Sequence, residues 1–107
     1  MNKEILRDGL LKMSEIQAKI PALQDELTLL VEAKNYAQAT LKLSILMDLH
    51  RQETAIVRRC MIQVPSYSTY YRHFAKLERQ LVSSQETITD MMACIGREHA
   101  RISDQEN

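Results

Sequence analysis

Apolar residues recur at steps of three and four from the start of the chain: Leu6, Leu10, Met13, Ile16, Ile20, Leu23, Leu27 and Leu30. That spacing lines one face of a helix and predicts an amphipathic helix, helix 1, over about residues 3–33. Pro21 falls inside it. A proline removes a backbone donor and crowds the preceding turn. The apolar stripe nevertheless keeps its phase across Pro21, which predicts one helix kinked there rather than two.

The pattern breaks at Asn35, a residue whose side chain can accept from the first free N–H groups of a helix, with Gln38 three positions on. Helix 2 is therefore predicted over about 36–62. It carries two apolar stripes, Leu41, Ile45, Leu49, Ile56 and Cys60 on one side and Leu43, Leu46, Val57 and Met61 close by. A helix apolar over so much of its circumference suits the middle member of a bundle. Pro65 ends it, because the residue before a proline avoids the helical region.

Ser66 or Ser68 can cap helix 3, predicted over about 68–103. Tyr67, Phe74, Leu81, Ile88, Ile95 and Ile102 recur every seven residues, and Tyr70, Leu77, Ser84, Met91 and Glu98 fill the positions between. Heptads of this kind predict a long coiled-coil-like helix of about 50 Å. The expected architecture is all-α: an antiparallel three-helix bundle, two hairpins sharing the middle helix, in one domain over 1–107. The seam Leu77, Leu81, Ile88, Met91 and Ile95 outruns the neighbouring helices and is expected to pair with a second chain, as a homodimer or hetero-oligomer.

Composition agrees with helices: two Gly, two Pro, no Trp and one Phe in 107 residues. Formal charge is zero, but unevenly placed. Residues 1–49 carry six basic and seven acidic groups, residues 50–82 six and two, and residues 83–107 two and five. The longest apolar stretch, near Leu41–Leu49, is broken by Lys42, Ser44 and Asp48, so no membrane span is expected. The charged N-terminal stretch does not read as a signal peptide, and Cys60 and Cys94 lack any paired spacing. A cytoplasmic, reducing compartment is the expectation.

Chemistry is sparse. His50, Cys60, His73, Cys94 and His99 do not share the i, i+3 or i, i+4 spacing of a helical zinc site, and no phosphate loop or nucleophile motif occurs. Neither metal nor cofactor is expected, and no enzyme activity. The conspicuous segment is Tyr67 to Arg79, which interleaves tyrosines with cations. Tyr70, Tyr71, Arg72, Lys76 and Arg79 are the candidate partner-binding residues, because tyrosine and arginine most often carry interface energy. The same rings could instead fill the core near the turn, or stack on bases. Tyr71 lies off the seam, so it and Arg72 are expected to be replaceable without loss of fold. The leading expectation is a small adaptor, chaperone or inhibitor that binds a protein. The alternative is a nucleic-acid-associated regulator using residues 50–79.

From Leu23 to Leu49, the placement of Tyr36 before Ala39, Leu46 and Leu49 resembles the helical hairpin through which the UvrB and UvrC repair proteins associate. It covers about a quarter of the chain and lacks the arginine–aspartate pair of that motif. The stretch is similar in the same way to small export chaperones of flagellar and type III secretion systems. Any antiparallel helical hairpin gives this pattern, so the resemblance implies a hairpin and membership in neither family.

Overall fold

Asn2 opens the first helix by accepting from the N–H groups of Glu4 and Ile5, at 3.1 and 3.3 Å. The computed structural model describes residues 2–106. They form three helices, α1 (Lys3–Glu32), α2 (Tyr36–Ile62) and α3 (Thr69–Glu106), and no strand occurs among the described residues. α1 runs unbroken through Pro21, which sits exposed on its outer side. There the carbonyl that loses its helical partner can turn to water.

The turn after α1 is a compact double cap. Lys34 takes φ 60°, the N–H of Asn35 reaches back to the Leu30 carbonyl (2.9 Å), and that of Lys34 reaches Val31 (3.0 Å). These are the bonds of a Schellman ending, with lysine where glycine is the usual choice. Asn35 then accepts from Gln38 N–H at 3.4 Å and starts α2. Its own N–H is already used by Leu30, so the reciprocal half of a capping box does not form. Ser68 caps α3: its hydroxyl donates to the Pro65 carbonyl (2.7 Å) and accepts from Tyr71 N–H (3.1 Å).

α2 packs against both other helices, and no Cα of α1 comes within 8 Å of one in α3. The result is an elongated three-helix bundle of 61 × 22 × 14 Å with α2 in the middle. The face α2 buries follows Ala39, Leu43, Leu46, His50, Glu53, Val57 and Cys60, a four–three repeat continuous through two polar positions, and Val64 of the following turn extends it. Leu41 and Ile45, expected in an apolar stripe, are exposed instead. They sit on the side away from both neighbours, because the seam runs through Leu43 and Leu46.

Two apolar clusters result. One joins Met13 and Ile16 to Ile56, Val57, Cys60 and Phe74, and the other joins Leu27 to Leu43, Leu46, Ile88 and Ile95. Between them lies a polar layer. His50 Nδ1 is 3.1 Å from Glu53 Oε1, Gln85 Nε2 donates to Thr54 Oγ1 (2.8 Å), and Thr54 donates to the His50 carbonyl (2.9 Å). Glu53 is only 2% exposed. Burying a carboxylate is costly unless it is paired; His50, one turn earlier on α2, supplies that partner, and the Gln85–Thr54 hydrogen bond ties the layer to α3.

α1 departs from expectation at one point. Leu10, read as part of the buried stripe, is 56% exposed, and Gly9 takes its place against α2. A Cβ on Gly9 would stand 2.9 Å from Cys60 Sγ and 3.2 Å from Ile56 Cγ2. The contact therefore depends on a residue with no side chain.

Candidate interaction surface

The turn between α2 and α3 buries Val64 in the first cluster and leaves the residues around it outside. Ile62, Tyr67 and Tyr70 are all largely exposed, Tyr67 at 82% and Tyr70 at 68%. The first residues of α1 lie at the same end, since Gly9 meets Cys60 and Ile56. They add exposed Ile5, Leu10 and Leu11. Six of the ten exposed large apolar side chains among the described residues thus gather at one end of a long molecule.

That end is also strongly basic. Residues 2–14 and 58–80, which form it, carry eight basic and three acidic side chains, a net +5. No carboxylate occurs between Thr54 and Leu77. The opposite end, residues 22–48 and 84–105, carries four basic and eight acidic side chains, a net −4. A formal charge of zero therefore conceals an axial separation of charge, which a charge count over the whole chain does not register.

The expected partner-binding residues divide. Arg72, Lys76 and Arg79 stand at i, i+4 and i+7, so they share one outward face of α3. All three are exposed, and none makes an ion pair within 4.0 Å among the described residues. Arg58, by contrast, is held by Glu78 at 2.7 Å. Tyr70 is exposed on another side of the helix. Tyr71 is half-buried against the first apolar cluster, so the expectation that it could be replaced freely needs correction. α3 settles on α2 through Tyr71, Phe74, Glu78, Leu81 and Gln85, which turns Tyr70 out and Tyr71 in.

The expected oligomer seam is largely taken up within the single chain. Leu81, Ile88 and Ile95 are buried in the two clusters, and Leu77 packs half-buried on the first. Met91 lines a cleft of about 340 Å³ between α1 and α3, floored by Leu43 and Leu46. α3 still overhangs its neighbour. Tyr36, the first residue of α2, already lies beside His99, with ring centroids 6.5 Å apart and the planes tilted by 46°.

Among the described residues no three His, Cys, Asp or Glu side chains converge as metal ligands would. Burial pushes the Cys60 thiol up, an effect partly offset by the nearby Arg59 cation, so Cys60 behaves as a packed apolar group. Cys94 is exposed. Among the described residues no helix is long and apolar enough to cross a membrane.

Sequence reasoning picked out the tyrosines and cations of residues 67–79 but missed the other exposed apolar groups that cluster with them, and it missed the polar layer. Both have a signal in the chain. The carboxylate-free run from Thr54 to Leu77 marks the first, and the four–three repeat of α2 read straight through His50 and Glu53 marks the second. No protein-family model matches the chain, and no curated protein or solved structure matches it either.

Proposed function

We propose that this chain is a non-enzymatic helical interaction module that binds an acidic protein partner through its basic, tyrosine-bearing end. The observation that carries the reading is the coincidence, at one end of a 61 Å molecule, of a net +5 charge with six exposed large apolar side chains. Exposed apolar residues rimmed by charge mark interaction surfaces, because leaving them in water costs free energy that a partner would recover. Tyr67 and Tyr70 bury large area at low entropic cost, and unpaired arginines can grip carboxylates in a bidentate fork. Each is a residue type that dominates binding energy.

A nucleic acid would use the same cations. The aliphatic share of the surface, Ile5, Leu10, Leu11 and Ile62, favours a protein, because nucleic-acid interfaces are more polar. Recovery of a partner from the native host, followed by titration against the Tyr70→Ala, Arg72→Ala double variant, tests the reading. Binding is expected to weaken by at least about 1–2 kcal/mol, roughly tenfold, at unchanged melting temperature. Full-strength binding by the double variant, or a salt-dependent preference for DNA over any protein, would overturn it.

A further inference from the structure

α1 lies at the edge of the bundle, with its backbone close to α2 alone, and its outer face has no covering in a single chain. On that face Leu11 and Leu29 stand 18 residues apart, five full turns at 3.6 residues per turn, with Ala18 and Ala22 between them. All four are exposed, Leu29 at 65%. The positions are symmetric about residue 20, so reversing the helix lays Leu11 on Leu29 and Ala18 on Ala22.

We propose that a second copy of this chain docks antiparallel on the outer face of α1, each Leu11 against the other copy's Leu29, with Ala18 and Ala22 at the crossing. Such a pairing is isologous: one patch serves both copies and the contact closes on itself. Small residues at the centre let the two helices approach closely, while the leucines cover each other on either side.

Charge selects the antiparallel direction. A parallel pair would set the +5 ends side by side and the −4 ends side by side, whereas an antiparallel pair sets each against its opposite. Within α1, Lys3, Arg7 and Lys12 balance the three acidic groups of the first half, whereas Asp25, Glu26 and Glu32 dominate the last. Two like-charged meetings remain: Glu15 with Asp25, which has Lys12 and Lys19 a turn away on either side, and Asp8 with Glu32, at the flank of the pair. This pairing leaves Arg72, Lys76 and Arg79 free on a different helix, and of the six apolar residues exposed at the basic end it covers Leu11.

Disulfide trapping tests it. In a Cys94→Ser background, with Cys60 buried, single Leu11→Cys and Leu29→Cys variants are oxidised alone and as an equal mixture. Like sites in the antiparallel pair are about 27 Å apart, so neither variant alone is expected to cross-link, while the mixture gives a covalent dimer. Light scattering of the unaltered protein is expected to report twice the 12.4 kDa chain mass, with dissociation as salt rises. Cross-linking of either variant with itself and not in the mixture, or the mass of one chain at tens of micromolar, would overturn the proposal.

Discussion

At the end of the molecule around the α1–α2 turn, two of the four cations are held in ion pairs and the excess charge is acidic. Lys42 reaches Glu26 at 2.7 Å across the helix pair, and Arg101 hydrogen-bonds Glu98 within α3. That hydrogen bond holds the Glu98 carboxyl below its ordinary range. At the opposite end Arg72, Lys76 and Arg79 project without an ion-pair partner among the described residues, beside exposed Tyr67, Tyr70 and Ile62. The same three helices build both ends, and both have a close-packed core, so packing does not explain the difference. Both ends carry uncompensated charge, but of opposite sign, and the basic end holds six of the ten exposed large apolar side chains among the described residues, both exposed tyrosines included.

The largest expected effect falls on the layer that separates the two ends. His50→Ala leaves the Glu53 carboxylate buried without its imidazole partner and is expected to cost about 3 kcal/mol in denaturant unfolding. Replacing both residues by leucine is expected to be near neutral in stability, because the pair is removed rather than broken. A neutral His50→Ala would mean that the buried Glu53 carboxyl does not depend on the imidazole.

The two glycines sharpen the comparison at smaller scale. Gly9→Ala forces a methyl group to within 2.9 Å of Cys60 Sγ and is expected to destabilise by about 1–2 kcal/mol despite the gain in helix propensity. At Gly96, in the acidic end, a Cβ would meet nothing within 4 Å, so Gly96→Ala is expected to stabilise by about 1 kcal/mol. Opposite signs in thermal melts would support this contrast, and equal signs would refute it.

The cysteines give the smallest effect. At pH 8 a thiol reagent is expected to modify Cys94 in the native protein and to reach Cys60 only on unfolding. The Cys60 thiol is raised in the folded state, so the unfolded chain ionises it first. Its contribution to stability is therefore complete below the ordinary thiol range and is lost as pH rises through and above it. Rapid native labelling of both thiols would contradict the burial of Cys60.

The helices were legible because the chain is nearly free of glycine and proline, and the apolar spacing leaves only two natural breaks, at Asn35 and Pro65. The caps at Asn35 and Ser68 were read for the same reason. What the sequence hid was rotation. A heptad on α3 marks a buried line, but whether Tyr70 or Tyr71 turns inward depends on how α3 meets α2 at its first turn. On α2 the apolar residues outnumber the positions one seam can bury, and a search for apolar positions alone skips His50 and Glu53, which lie in that seam. The grouping of α1's first turns with the α2–α3 turn is a matter of topology, so the basic end emerges only once the hairpins are assembled.

The most direct test is a comparison of charge reversal at the two ends, measured as partner affinity by titration calorimetry at low salt. The triple variant Arg72→Glu, Lys76→Glu, Arg79→Glu is set against Glu86→Lys, Asp90→Lys, Asp104→Lys, each checked for unchanged helicity. Reversal at the basic end is expected to weaken binding by at least a hundredfold, about 2.7 kcal/mol, while reversal at the acidic end leaves it unchanged within about twofold. Equal losses from both variants, or a loss from the acidic end alone, would contradict the assignment of the interaction surface.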